Sequence, residues 1–492
     1  MISSFIIDKP ITIFERDREW SELMRFVASP TARLGLVYGR RRLGKTHLVD
    51  HLAREAGGLY FCAAQQSSAA NLADLSRAVT DWLGGSNPIH YSSWDEALQH
   101  LFRLEANGNQ PSHVLVLDEV GYLIESDPAF PSLLQRALDR RPRPSAKLLL
   151  SGSNQAVMRN LTASGQPLRG RANVEIVLTP FNFRSTAAFW GIRDARTAIL
   201  HWSVVGGTPA YRELCDNEAP SSERDFPRWM SRHLLTDSSA LHREGRVVVM
   251  EEASLVGPTS HWAVLSAITG GASTRDAIAE AIARPATSLS NSLAVLTSSG
   301  LVARVDDPLH ARRSTYVIDE PIVTAWKELV EPLERRIVRG DPSRMFDVIE
   351  APLHSHVVAP AFERLVSNWA AAHASDDTMG GRATAIGHSH LGRGFGDAMS
   401  AQIDLVAVER QPSGRRRILT IGEVKHRNRP AGVAELRRLE MIRDRLLARH
   451  DTTAFPKLLL ACDAGFDRDL LRLDRTRSDL ELVDADRLLH GD

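Results

Sequence analysis

The run Gly39-Arg40-Arg41-Arg42-Leu43-Gly44-Lys45-Thr46 fits the pattern GxxxxGK[ST] and lies between an apolar stretch, Leu34 to Tyr38, and a helix-like stretch, Thr46 to Ala56. Strand, glycine-bearing loop and helix in that order leave little freedom in the fold, because the loop must close its backbone N–H groups around phosphate oxygens at one end of a sheet. Such a loop holds a nucleoside triphosphate. Lys45 would reach the outer phosphates and the Thr46 hydroxyl would hold Mg²⁺. Every position from Gly39 to Thr46 is therefore a candidate nucleotide contact, and Thr46 is also a candidate metal ligand.

Downstream, apolar runs such as Leu59 to Ala64 and Val114 to Leu117 alternate with helical stretches, which argues for a parallel sheet flanked by helices. The strand Val114 to Leu117 ends in Asp118 and Glu119. In P-loop enzymes a carboxylate pair there organises Mg²⁺ and activates water, so Asp118 is expected to hold the metal's water shell and Glu119 to take a proton. The next strand, Lys147 to Leu150, runs into Ser151-Gly152-Ser153-Asn154, and Ser153 or Asn154 is placed to report on the γ-phosphate. Arg171, with Arg169 second, is the candidate for stabilising transition-state charge on a neighbouring subunit's nucleotide.

Composition sets the frame. The chain has 492 residues, 43% of them hydrophobic, enough for about three domains with cores of their own. Sixty basic side chains balance sixty acidic ones, so no global field draws the protein to polyanions, and any such contact must be local. Cys62, Cys215 and Cys462 show neither metal-site nor redox spacing. No stretch approaches a membrane span, and Met1 to Pro10 lacks the build of a signal peptide; a cytoplasmic protein without a membrane partner is expected. Only six of the sixty basic residues are lysine, so lysine is kept where a compact ammonium matters, as at Lys45 and Lys425.

In the middle third, helical patterns at Trp262 to Ile268, Thr274 to Ile282 and Ala286 to Ser299 precede apolar strands at Gly300 to Val305 and Ser314 to Ile318. Three helices and a hairpin spell a winged helix. Ser288, Ser290, Asn291 and Ser292 would lie on a groove-entering third helix, with Arg312 and Arg313 in the wing against phosphates. Winged helices also serve as protein-contact modules, and this third helix carries no Lys or Arg.

The last third sets a helix from Pro352 to Ala372 before the strands Gln402 to Val408 and Ile418 to Lys425, followed by a helix from Ala431 to Arg449 and a strand from Lys457 to Ala461. Strand alternation puts Glu423 and Lys425 on one face while Val424 enters the core. Asp404 and Glu423 would hold a divalent metal, with Lys425 orienting water or steadying a charged phosphate transition state. Glu363 is the candidate further acidic group. His388 and His390 are read as part of a mobile loop in a Gly-rich stretch.

Taken together, Phe14 to Trp20, the GRRRLGKT loop, LVLDEV, LLLSGSN, PLRGR and Val205-Gly206-Gly207-Thr208-Pro209-Ala210-Tyr211 resemble the archaeal-type ATPases of the AAA+/STAND branch of P-loop proteins. Tyr316 to Arg336 resembles the stretch that follows the winged helix in the same group. The αβββαβ order with Asp404, Glu423 and Lys425 resembles the PD-(D/E)xK nuclease superfamily, with Ile403-Asp404 standing for its leading Pro-Asp.

These resemblances imply an α/β fold: a P-loop NTPase parallel sheet with a helical lid, then a winged-helix domain, then a restriction-endonuclease-like α/β domain. The expected bounds are residues 1–180 for the ATPase core, 181–250 for the lid, 255–320 for the winged helix, 321–345 for a linker helix and 346–492 for the nuclease-like domain. ATP and Mg²⁺ are the expected cofactors, DNA the expected partner, and a homo-oligomer the expected assembly. ATP hydrolysis with Mg²⁺-dependent DNA cleavage is one reading of the whole. An ATP-switched signalling protein, or a DNA-binding regulator with an inactive nuclease fold, is the other.

Overall fold

The computed structural model describes residues 8–85, 87–104, 113–140, 146–253, 258–310, 312–391, 401–411, 414–447 and 455–492. They divide into two compact units, one ending at Pro180 and the other running from Phe181 to Asp492.

The first unit is built on β1 (Leu34–Tyr38), β2 (Leu59–Cys62), β3 (Val114–Asp118), β4 (Lys147–Gly152) and β5 (Ala172–Val177), in the spatial order β2-β3-β4-β1-β5. Every neighbouring pair is parallel. β1, β3 and β4 are buried along their whole length, which is why their sequences are unbroken apolar runs rather than alternating ones. The helices Asp17–Ala28 and Lys45–Glu55 cover one face through Leu23, Phe26, Leu48 and Leu52. The helices Ser68–Trp82, Trp94–Arg103 and Phe130–Asp139 cover the other through Leu75, Leu98, Phe130 and Leu134. Ser67 and Ser93 cap two of these helices by accepting from Ala70 N and Glu96 N. Because β4 lies between β1 and β3, the carboxyl ends of all three strands open side by side on one sheet edge, the position where open α/β sheets bind ligands.

The second unit begins with Phe183–Trp190 and Ala195–Val205, the latter buried on all sides, as its apolar sequence requires. The Gly206-to-Tyr211 segment then packs tightly within this unit: an added Cβ on Gly206 would meet Pro321, and the Tyr211 hydroxyl donates to buried Glu320 at 2.8 Å. Three helices, Pro258–Thr269, Arg275–Ala281 and Leu289–Ser298, precede an antiparallel hairpin of β6 (Val302–Asp306) and β7 (Ser314–Ile318). Ser292 lies on the third helix as expected but is buried, its hydroxyl bonded to that of Ser260 at 2.9 Å. Ser290 accepts from the Arg275 guanidinium. Asn291 and Ser288 are exposed, as are Arg312 and Arg313.

The helix expected from Pro352 starts earlier and changes pitch, as Pro342–Pro352, a π-helical segment Leu353–Val358, and Ala359–Ala372. Pro352 has no N–H for the α ladder, and the wider π turn takes up the misfit. A five-stranded mixed sheet follows: β8 (Ala385–Leu391), β9 (Ala401–Arg410), β10 (Arg416–Lys425), β11 (Lys457–Cys462) and β12 (Leu480–Val483), in the order β12-β11-β10-β9-β8. β8, β9 and β10 pair antiparallel, while β10 and β11 pair parallel through the crossover helix Val433–Leu447 and β11 and β12 pair parallel through the helix Arg468–Asp474. Arg449, the expected end of that helix, lies outside the described residues. His388 and His390 are on β8 and not in a loop, a correction with a simple cause. The inward positions of that strand are Gly387, Ser389 and Leu391, so its period of two is written largely in small residues and carries little hydrophobic signal. The hairpin abuts this sheet: Arg416 donates to Pro308 O at 2.8 Å and Thr315 meets His388 at 2.9 Å.

Candidate active site

The phosphate loop runs from the end of β1 into the helix Lys45–Glu55. At Gly39 the chain has φ +157°, and a Cβ there would lie 2.5 Å from Leu178 O, so no larger residue fits. Arg42 and Gly44 both take left-handed conformations, at φ +70° and +84°, which turn the loop back on itself ahead of the helix. Arg40 and Leu43 are buried, and the Arg41 guanidinium donates to the Tyr122 hydroxyl at 3.2 Å. Lys45 is buried and donates to Arg40 O at 2.9 Å, so its ammonium is folded into the loop it is expected to serve. Arg16, at the entry of the first helix, braces the loop from behind by donating to Thr179 O at 2.8 Å and Leu43 O at 3.3 Å.

Asp118 is fully buried at the end of β3. Its Oδ2 accepts from Thr46 Oγ1 at 2.8 Å and from the Tyr60 hydroxyl at 3.0 Å, and its Oδ1 accepts from Glu119 N at 2.9 Å. The structure thus brings together the metal-directed hydroxyl and carboxylate expected from sequence. Glu119 sits at φ +50°, and its Oε2 accepts from Ser153 N at 3.2 Å and Ser153 Oγ at 2.9 Å. Asn154 caps the helix Gln155–Leu161 by accepting from Val157 N at 3.2 Å. Arg171 is engaged on its own chain, donating through Nε and Nη2 to both oxygens of Asp139 at 2.9 and 2.7 Å. Reaching a second copy's nucleotide would require that fork to open.

The residues fit a Mg-nucleotide: a left-handed loop, a lysine folded into it, and a buried carboxylate already sharing a hydrogen bond with the loop's threonine. Sequence reasoning missed Tyr60 and bypassed Arg16 as a single residue, since neither adjoins the loop in sequence and no spacing rule links β2 to β3.

In the second unit, Asp404 on β9 accepts from Val424 N at 3.0 Å and from Gln402 at 3.2 Å. Glu423 on β10 is buried, and one of its oxygens is shared by Lys425 at 2.9 Å and by Arg438 of the crossover helix at 3.0 Å. Burial pushes the Glu363 carboxyl up to about 7, the charge of Asp404 adds to that rise, and Lys425 opposes it. Burial also raises Asp404, against the pull of the Val424 N–H and Lys425. Glu363, Asp404 and Lys425 therefore feel one another from three separate elements. Among the described residues, no three His, Cys, Asp or Glu side chains converge closely enough to hold a metal ion, and Glu423 is held by Lys425 and Arg438.

Residues 31–187 match the family model described as AAA domain. The first unit has a P-loop ATPase fold. The Walker-type ATPase of Pyrococcus abyssi superposes on 66% of this chain and 99% of its own, at 19% identity and a TM-score of 0.52, a likeness of fold. An uncharacterized protein of Methanocaldococcus jannaschii is 21% identical over 342 residues, spanning 68% of this chain and 72% of the relative. The ORC2 protein of Aeropyrum pernix aligns with 71% of this chain and 98% of its own at 14% identity, with a TM-score of 0.41, too loose a likeness to carry argument. In AAA-type terms, the loop, Asp118, Glu119 and Ser153 all fall inside the matched residues. Among the described residues, no helix is long and apolar enough to cross a membrane.

Proposed function

We propose that the first unit binds ATP and hydrolyses it with Mg²⁺. The observation that carries this reading is the 2.8 Å bond from Thr46 to buried Asp118, which puts the loop's hydroxyl and the β3 carboxylate at a common point. On ATP binding, Lys45 exchanges the Arg40 carbonyl for phosphate oxygen, and the loop N–H groups close around the same anion. Thr46 and Asp118 would hold Mg²⁺, which when bound neutralises charge developing on the phosphates. Glu119, held by Ser153, accepts the proton of the attacking water. The test is nucleotide binding and turnover on the full chain: Lys45→Ala loses binding, whereas Glu119→Gln retains binding and loses turnover. Binding unchanged in Lys45→Ala would sink the reading.

A second reading starts from the bond of Val424 N to Asp404, which holds that carboxylate against the stretch of β10 that carries Glu423 and Lys425. We propose that the second unit acts on DNA as a PD-(D/E)xK-type nuclease, in which Glu363, Asp404 and Glu423 would hold a divalent cation once Glu423 is released by Lys425 and Arg438, with Lys425 placed for the scissile phosphate. Its winged-helix-like region, with exposed Arg312 and Arg313, would meet the DNA backbone, and nucleotide state would tune the whole. Plasmid incubated with Mg²⁺ or Mn²⁺, with and without ATP, tests this. Cleavage lost in Lys425→Ala supports it, whereas salt-sensitive DNA binding without cleavage would point to a DNA-binding regulator.

A further inference from the structure

Tyr60 projects from β2 on the face covered by the helix Lys45–Glu55, and its hydroxyl reaches the carboxylate on the next strand. Two donors meet at one oxygen there, since Asp118 Oδ2 accepts from Thr46 at 2.8 Å and from Tyr60 at 3.0 Å. They differ in what happens on ligand binding. Thr46 would hold the metal through an oxygen lone pair while its one hydrogen stays on Asp118, and it moves with the loop, whereas Tyr60 belongs to a strand that takes no part in the loop. We propose that Tyr60 is a positioning residue for the metal half of the ATP site, keeping Asp118 oriented independently of the loop that carries Thr46. This deepens the ATP reading and rests on it.

Three physical points support the assignment. Asp118 is fully buried, so its oxygens find no bulk water and depend on the donors fixed around them. The other oxygen is already held by Glu119 N at 2.9 Å, so Tyr60 and that N–H grip the two oxygens separately and fix the plane of the carboxylate. The Tyr60 hydroxyl is the donor in its bond to Asp118 Oδ2, the direction that a carboxylate turned toward a cation requires. A partner that holds a metal-directed carboxylate from behind typically governs affinity for the cation about 10–100-fold.

The experiment titrates wild type and Tyr60→Phe with a fluorescent ATP analogue, first in EDTA and then across a Mg²⁺ series. Phenylalanine keeps the ring packed against the helix and removes only the hydroxyl, so the EDTA affinity serves as the check on folding. The expected result is an unchanged affinity in EDTA and a Mg²⁺ requirement raised about ten-fold. A Mg²⁺ requirement equal to that of wild type would overturn the assignment. So would an equal weakening with and without Mg²⁺, the mark of a merely structural tyrosine. A wild-type protein that binds the analogue in neither condition would overturn the ATP reading itself, and this inference with it.

Discussion

Glu119 and Ser153 are joined by two hydrogen bonds to a single carboxylate oxygen, one from the serine N–H at 3.2 Å and one from its hydroxyl at 2.9 Å. They come from the ends of adjacent strands, β3 and β4, so the contact is set by the sheet and not by a flexible loop. Ser153→Ala removes the hydroxyl and leaves the N–H. The remaining bond holds the carboxylate less firmly, and a loss of about 1.4 kcal/mol of orientation is a ten-fold loss of rate. Steady-state ATPase assays should therefore show kcat down about ten-fold with KM nearly unchanged. A larger change in KM than in kcat would mean that Ser153 serves binding instead.

The packing of Tyr211 on Glu320 predicts a stability effect within the second unit. Tyr211 is fully buried, and its hydroxyl donates to a carboxylate that is also buried. Tyr211→Phe withdraws that donor at a cost of about 1–3 kcal/mol, visible as a lower melting temperature by circular dichroism. Gly207→Ala should be worse, because a Cβ there would lie 1.9 Å from Phe181 O. A melting temperature within a degree of wild type for Gly207→Ala would contradict that packing.

The parts of the site legible in sequence are those whose residues are contiguous or end an apolar strand. Gly39 to Thr46 could be read because loop, strand and helix follow one another, and Asp118 and Glu119 because they close the run Val114 to Leu117. Tyr60, the Glu119–Ser153 pair and Arg438 could not, since each depends on which strand or helix lies beside which, and strand order is decided by packing of whole faces. The same limit explains Ser292, whose hydroxyl looks solvent-directed until Ser260 is found opposite it. The β8 strand was illegible for a different reason, the small size of its inward residues.

Glu363 should give the second unit a pH signature. Its carboxyl has an ordinary value of 4.5 in the unfolded chain and about 7 when folded, so the folded protein keeps a proton that the unfolded chain has released across that window. The sign follows: this contribution is complete below 4.5 and is lost as pH rises through 7. Glu363→Gln stays neutral throughout. Relative to that variant, wild type should lose on the order of 1–3 kcal/mol of unfolding free energy between about pH 4.5 and 8, read from urea titrations. Parallel pH profiles for the two proteins would show that the carboxyl is not held protonated.

The shared oxygen of Glu423 separates metal binding from cleavage. Lys425 and Arg438 both donate to it, but Lys425 lies on the same strand face, whereas Arg438 reaches in from the crossover helix with its side chain about half exposed. A cation entering beside Glu423 must displace or tolerate both positive groups. Removing Arg438 relieves repulsion without touching the strand, and at an effective dielectric of about 20 a unit charge a few ångströms away is worth up to several kcal/mol before screening. Arg438→Ala should therefore bind Mn²⁺ more tightly, by about ten-fold in calorimetric titration, once screening and partial exposure reduce that figure. Lys425→Ala should tighten Mn²⁺ binding as well, yet abolish any DNA cleavage, because the lysine is the group assigned to the phosphate. If both variants bind Mn²⁺ as wild type does, the cation does not sit at Glu423, and Glu423, Lys425 and Arg438 form a structural ion cluster that closes the end of β10.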